Sequence, residues 1–131
     1  MKTAFPFISL LILTSVFLLA ITFNTYSEAL PEGKMVSYKS DGETISGFLV
    51  TPEGKGPFPA IIVIQEWWGL NDQIKNEARK LAKEGYVTLA VDLYRGKVTT
   101  DPEEAHELLR GLPEDRAVRD LLSAVSYLKT L

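Results

Sequence analysis

The sequence predicts an α/β fold for residues 35–131, preceded by a hydrophobic N-terminal segment. Two short apolar stretches flank a turn signal at the start of this region, and a continuous apolar run, a helical pattern and a second apolar run follow in that order. Of the 131 residues, 46% are hydrophobic and 24% are charged, which is typical of a globular protein. This composition excludes disordered and collagen-like chains.

The N-terminal segment has the pattern of a membrane-targeting sequence. Lys2 precedes an apolar run over residues 4–23, and the small residues Ser27 and Ala29 occupy the −3 and −1 positions of a possible cleavage site. About 20 apolar residues also suffice to cross a bilayer as an uncleaved anchor. We therefore predict that residues 1–29 are a signal peptide or a membrane anchor that inserts into a membrane, and that the rest of the protein is exported or anchored outside the cytoplasm.

The region after this segment is predicted to open with an antiparallel hairpin. The residues Asp41 and Gly42 form a turn signal between two apolar stretches within residues 35–50. A loop rich in proline and glycine, over residues 51–59, leads into the β-branched run of residues 60–64. Such a continuous apolar run is typical of a strand that is buried on both faces.

A parallel β-α-β unit is predicted to follow. Asn71 is suited to cap a helix that Gly85 ends, and residues 86–91 form a second apolar strand. A strand, a helix and a second strand in this order predict parallel pairing, because a crossover helix returns the chain to the same end of the sheet.

Two more helices are predicted before the C-terminus. Asp101 and Pro102 are residues typical of a helix start, and Pro113 starts the last helix. One face of that helix is predicted to carry Val118, Leu121, Leu122, Val125 and Leu128. A strand is the next element expected in an α/β domain, so we expect the domain to continue beyond Leu131.

Charge and composition exclude several classes of function. A net charge of −3 without any Lys/Arg-rich run gives no surface for neutralising phosphates, so we expect no nucleic-acid partner. The sequence has no cysteine and only one histidine, so we expect neither a Cys-based zinc site nor a His-rich metal site. We expect no metal and no cofactor.

The candidate functional residues follow the two predicted parallel strands. Ligands of open α/β sheets bind at the carboxyl ends of the strands. Residues 65–71 place the carboxylate of Glu66 and two indoles after the first strand, and residues 92–97 place a phenol and two cations after the second.

These two segments resemble motifs of the dienelactone hydrolase (carboxymethylenebutenolidase) family of α/β-hydrolases. The family's Gln-Glu-x-x-Gly-hydrophobic-Asn pattern is matched at residues 65–71, and its Asp-Leu-Tyr pattern at residues 92–94. The resemblance covers residues 36–131. It implies that residues 35–131 form the N-terminal half of an α/β-hydrolase sheet, a hairpin plus a parallel β-α-β unit. It also implies that the protein hydrolyses a small-molecule ester or lactone through a Cys or Ser nucleophile assisted by His and Asp.

The resemblance implies roles for four residues. Glu66 is expected to contact and activate the nucleophile, the backbone N–H of Trp67 to donate to the oxyanion, and Tyr94 and Arg95 to bind substrate. Arg95 is one residue closer to the tyrosine than the substrate-binding arginine of dienelactone-cleaving members. From the residues alone, a helix cap or an ion pair is the favoured interpretation of Glu66, whereas Tyr94 and Arg95 suit loop packing and substrate contact equally.

Three further observations set the expectations for the site. Asp92 is expected to hold its own loop by local hydrogen bonds, and His106, in an acidic helical turn, to be a bystander. No G-x-S-x-G or G-x-C-x-G nucleophile motif occurs in the sequence. We therefore expect the catalytic triad to lie beyond Leu131 and the 131-residue chain alone to be inactive. The alternative is a catalytically empty α/β module that binds a ligand or partner.

Overall fold

The computed structural model describes residues 29–131 as four strands and three helices. Of the predicted signal peptide or anchor at residues 1–29, all but Ala29 lies outside the described residues. Within residues 29–131, no helix is both long enough and apolar enough to span a membrane. The elements in chain order are β1 (Gly33–Ser40), β2 (Glu43–Val50), β3 (Ala60–Ile64), α1 (Asp72–Lys83), β4 (Val87–Val91), α2 (Pro102–Arg110) and α3 (Glu114–Leu128).

The four strands form one mixed sheet in the order β1-β2-β4-β3. The hairpin prediction is confirmed, because β1 pairs antiparallel with β2 in a register that joins Ser40 to Glu43. Asp41 and Gly42 between them have φ angles of 47° and 84°, as a tight hairpin turn with two left-handed residues requires. The parallel pairing of β3 with β4 is also confirmed, and β4 pairs antiparallel with β2 on its other side.

The prediction that β3 is buried on both faces is wrong for the described chain. β3 is an edge strand that pairs with β4 alone among the described strands, and 57% of Ile64 is exposed. The two central strands are the ones with continuous burial, β4 from Thr88 to Val91 and β2 from Gly47 to Val50. The β-branched run thus correctly predicted that residues 60–64 form a strand. It did not predict the position of this strand in the sheet, because periodicity carries no information about which strands lie beside it.

The predicted helix starts are confirmed by their capping bonds. The Asn71 side chain accepts a hydrogen bond from the Ile74 amide at 3.0 Å and so caps α1. The Asp101 side chain accepts from the amides of Glu103 and Glu104 at the start of α2, where Pro102 occupies the first turn. These contacts satisfy amide groups that have no acceptor within the helix itself.

Two apolar clusters cover the two faces of the sheet. Alternate residues of the central strands point to opposite faces, so Leu49 and Leu89 join one cluster, while Phe48 and Ala90 join the other. The first cluster packs under α3, which contacts β1, β3 and β4, and the second packs under α1. The described chain therefore has three layers, helix, sheet and helix, with the sheet ends left for loops.

The predicted apolar face of α3 requires correction. Leu121 and Leu128 pack against the core, but Val118, Leu122 and Val125 are 50%, 63% and 38% exposed. The fully buried positions of α3 are Asp120 and Ala124, and neither was in the predicted set. The helix is turned so that a carboxylate faces the sheet, which places a charge inside the molecule.

Candidate active site

The loops that follow β3 and β4 are joined by the side chain of Gln65. This residue is 8% exposed, and its Oε1 atom accepts a hydrogen bond from the Leu93 amide at 3.1 Å. The two strands lie side by side with Ile64 opposite Val91, so their loops leave the sheet at the same edge. The parallel pairing thus brings together the two segments that the sequence singled out.

A second set of contacts joins the same loops further from the sheet. The Thr99 amide donates to the Trp68 carbonyl at 3.1 Å. Gly69 has a φ of 91° and lies against the Lys97 carbonyl, so that a Cβ atom at this position would collide with the backbone. Glycine is therefore required here both for its backbone angle and for the close approach.

The loop after β3 makes a β-turn that presents the two residues predicted to act in catalysis. The Gly69 amide donates to the Glu66 carbonyl at 3.1 Å, which closes a turn with Trp67 and Trp68 at its centre. Within residues 29–131, the Trp67 amide has no hydrogen-bond acceptor. The turn therefore leaves this backbone N–H free to donate to another group.

The carboxylate of Glu66 is exposed at this turn. It makes no hydrogen bond or ion pair with any residue of the described chain, and Asn71 rather than Glu66 caps α1. The alternative interpretations of Glu66, a helix cap or an ion pair, are therefore not observed in residues 29–131. Its role in activating a nucleophile stays a prediction.

An aromatic cluster lies beside Glu66. The Trp67 ring contacts the Trp68 ring with centroids 4.5 Å apart, and the His106 ring packs edge-on against Trp67 at 5.0 Å. Both indoles are half-buried. His106 was expected to be a bystander in a solvated turn, and although it is exposed, this contact ties α2 to the loop that carries Glu66.

The loop after β4 is held by Asp92, as predicted. Its Oδ1 atom accepts from the Tyr94 amide at 3.2 Å, and its own amide donates to the Ser46 carbonyl at 3.0 Å. Tyr94 is 6% exposed and belongs to the apolar cluster under α3. Burial raises the pKa of the Tyr94 phenol. A buried tyrosine in this position packs the loop onto the core.

Arg95 is engaged by two carboxylates. One guanidinium nitrogen lies 2.7 Å from Asp120, which is fully buried, and the other lies 3.0 Å from Glu43. Burial lowers the pKa of Arg95, but the hydrogen bonds to Asp120 and Glu43 outweigh that effect and raise it overall. These contacts correspond to the packing interpretation of Tyr94 and Arg95, and substrate binding by either residue stays a prediction.

Comparison with known proteins agrees with this arrangement. The family model for the dienelactone hydrolase family matches residues 45–131. The chain belongs to the dienelactone hydrolase family. The resemblance noted in the sequence is thereby confirmed, and membership supports a hydrolase.

Individual curated relatives match a large part of the chain. "Protein usf" of Aquifex pyrophilus is 38% identical over 87 residues, which are 64% of this chain and 37% of that protein. A Saccharolobus solfataricus protein, provisionally named a carboxymethylenebutenolidase, is 56% identical over 61 residues, 47% of this chain and 23% of that protein. The chain therefore spans less than two fifths of the length of these curated relatives.

Solved structures share the fold. A provisionally assigned dienelactone hydrolase from Klebsiella pneumoniae superposes with a TM-score of 0.67 at 30% identity, covering 76% of this chain and 44% of that one. A dienelactone hydrolase-like promiscuous phosphotriesterase from metagenomic libraries gives a TM-score of 0.65 at 31% identity, covering 77% and 44%. The α/β arrangement of sheet and helices is thus that of dienelactone hydrolases.

Sequence reasoning missed two residues that shape this site. The motif at residues 65–71 includes Gln65 but does not indicate that its side chain joins the two loops. Asp120 was not singled out at all, although it holds Arg95 and accepts a hydrogen bond from the Ser40 hydroxyl at 2.7 Å. The available signal for Asp120 is an acidic residue beyond the first turn of α3 that is followed directly by Leu121 and Leu122.

Proposed function

We propose that the protein hydrolyses a small-molecule ester or lactone by nucleophilic acyl transfer, and that residues 35–131 supply the N-terminal part of its catalytic domain. Family membership and the free Trp67 amide beside the exposed Glu66 carboxylate support this proposal. The Trp67 amide is the observation that carries it, because an unused backbone donor at a strand end is what an oxyanion site needs.

The proposed reaction proceeds in two balanced steps. A cysteine or serine nucleophile attacks the carbonyl carbon of the substrate, and the carbonyl electron pair moves to the oxygen, to which Trp67 donates. One such fixed donor stabilises the transition state by about 3 kcal/mol. The nucleophile's proton passes to its histidine partner, which gives it to the leaving oxygen as the tetrahedral intermediate collapses, so the alcohol is released. Water then loses a proton to the histidine and attacks the acyl carbon, the carboxylic acid leaves, and the proton returns to the nucleophile. Glu66 takes part in activating the nucleophile.

The nucleophile, with its histidine and aspartate partners, is proposed to lie outside residues 1–131, because no nucleophile motif occurs within them. That same observation favours a second candidate function, a catalytically empty α/β module that binds a ligand or partner through the Glu66 and Arg95 loops. The coding sequence after Leu131 distinguishes the two. A Gly-x-Cys/Ser-x-Gly motif followed by Asp and His supports the hydrolase, and a stop codon supports the module.

The hydrolase proposal is tested with the product of the complete gene on p-nitrophenyl esters. We expect Glu66→Gln to lower kcat by 10²–10⁴-fold with little change in KM, as is typical when acid–base assistance is lost. Glu77→Gln is the matched control, since Glu77 is an exposed glutamate on α1 that is paired with Lys80. The 131-residue chain alone is expected to show no turnover above the Glu66→Gln variant.

Two outcomes would contradict this proposal. An unchanged kcat in Glu66→Gln combined with a lower melting temperature would assign Glu66 a structural role. Glu66-dependent turnover by the 131-residue chain would show that the nucleophile lies within it.

We also propose that residues 1–29 direct the protein out of the cytoplasm, as a cleaved signal peptide or as a membrane anchor. The proposal is supported by the single charge, Lys2, ahead of the apolar run of residues 4–23. The segment lies outside the described structure apart from Ala29, so a reporter fusion is the direct test.

A further inference from the structure

We infer that the site accepts neutral esters or lactones with an apolar or aromatic acyl group and discriminates against substrates that carry a carboxylate. This inference rests on the proposed hydrolase function and specifies its substrate class. It follows from how the charges at the end of β4 are balanced and from which side chains surround Glu66.

The cation at the end of β4 is already neutralised. Arg95 lies between Asp120 at 2.7 Å and Glu43 at 3.0 Å, so two carboxylates compensate its charge. For Arg95 to bind a substrate carboxylate, it would have to leave Asp120, whose side chain is completely buried, without a counter-charge. The arginine is therefore not available to an anionic substrate.

The adjoining cleft offers no net positive charge either. A cleft of about 470 Å³ is lined by the cations Arg95, Lys97 and Arg116, and also by the carboxylates of Glu104 and Glu107. Their ion-pair partners balance the remaining charge, since Asp120 and Glu43 lie on Arg95, Arg110 on Glu107, Arg119 on Glu43 and Asp41 on Arg119. An approaching anion is thus not favoured by the local field.

The surroundings of Glu66 are apolar instead. The half-buried rings of Trp67 and Trp68 follow it directly in the chain, and the contact of Gly69 with residues 97 and 98 places Val98, which is 49% exposed, beside this turn. Partly exposed aromatic and aliphatic side chains next to a few polar groups are typical of sites for apolar ligands. The free Trp67 amide and this apolar surface together suit an uncharged acyl group.

The test uses the product of the complete gene and compares two p-nitrophenyl esters with six-carbon acyl chains, the hexanoate and the mono-adipate. The hexanoate chain ends in a methyl group and the adipate chain ends in a carboxylate. We expect kcat/KM for the hexanoate to exceed that for the adipate by at least about tenfold, mostly through KM. Glu43→Gln releases one side of Arg95 and is expected to raise kcat/KM for the adipate about threefold or more, with the hexanoate unchanged. Glu77→Gln, an exposed paired glutamate on α1, is expected to leave the ratio unchanged.

Each outcome separates this inference from the proposed function. Turnover with equal or greater kcat/KM for the adipate would overturn the inference and leave the hydrolase function standing. A hexanoate-to-adipate ratio that Glu43→Gln does not alter would overturn the claim that this glutamate withholds Arg95. No turnover of either ester above the Glu66→Gln variant would overturn the hydrolase function itself.

Discussion

Replacing Asp120 by alanine is the sharpest test of the charge cluster behind the site. The Asp120 carboxylate is fully buried, accepts from the Ser40 hydroxyl at 2.7 Å and lies 2.7 Å from a nitrogen of Arg95. The substitution leaves the hydroxyl of Ser40, which is 1% exposed, without this acceptor, and it leaves Arg95 with Glu43 as its remaining ion-pair partner.

The expected cost follows from these two losses. Removing one partner of a buried ion pair costs about 3–5 kcal/mol of unfolding free energy. Arg95 is 28% exposed and keeps Glu43, so the loss of its partner is partly screened. The hydrogen bond from Ser40 to a charged acceptor contributes about 1.5–3 kcal/mol. We therefore expect Asp120→Ala to lower the unfolding free energy by about 3 kcal/mol.

Urea unfolding followed by tryptophan fluorescence and circular dichroism measures this change. Asp120→Asn keeps an acceptor for Ser40 and loses the charge, so we expect a smaller loss of about 1–2 kcal/mol. This variant also provides the measurement if the alanine variant does not fold. Asp115→Ala, in the exposed first turn of α3, is the matched control and is expected to change stability by less than about 1 kcal/mol.

A loss of less than about 1 kcal/mol in Asp120→Ala would refute this reasoning. It would show that Arg95 is held by Glu43 alone, and the argument that Arg95 is withheld from substrate would lose its main support.

Three further predictions test other parts of the chain. Gly69→Ala is expected to destabilise the protein by about 1–2 kcal/mol more than Gly96→Ala in urea unfolding. The two glycines have similar φ angles, 91° and 89°, but of the two only Gly69 lies against backbone atoms. Equal losses of stability in the two variants would exclude a collision at Gly69. Burial, followed by the charge of Asp120, raises the pKa of the Tyr38 phenol above the ordinary tyrosine value of about 10. The stability that the neutral phenol contributes is complete below pH 10 and is lost as the pH rises further, by up to about 1.4 kcal/mol per pH unit. We therefore expect the urea midpoint of Tyr38→Phe to fall less steeply above pH 10 than that of the unmodified protein. Parallel pH profiles of the two proteins would contradict this prediction. Residues 1–29 fused to a reporter should carry it across the membrane, whereas a reporter without them should stay inside; equal distribution would remove the targeting prediction.

The elements that the sequence predicted well are those specified by short-range signals. The hairpin depends on Asp41 and Gly42, which accept left-handed angles, and the starts of α1 and α2 depend on the side chains of Asn71 and Asp101. Each of these signals acts within about four residues of its own position. Local sequence was therefore sufficient to predict them.

The burial of Asp120 was not predictable by the same means. A helical periodicity indicates which residues share a face, but it assigns the apolar face to the core by default. In α3 the position of Asp120 is decided by Arg95, which precedes the helix, and by Ser40 on β1, 80 residues away. A buried carboxylate is stable only with such partners, and partners from distant segments are invisible to a pattern of neighbours.

In the candidate site, too, the sequence predicted where the loops lie but not which ion pairs their residues form. The motifs around Glu66 and Tyr94 predicted which loops lie at the sheet edge, since parallel strands must end there together. They did not predict that Glu43, 52 residues before Arg95, would compete for its guanidinium. A motif residue keeps its place through the fold, but its chemical role depends on which charges the rest of the chain brings to it, and for Arg95 those charges are two carboxylates.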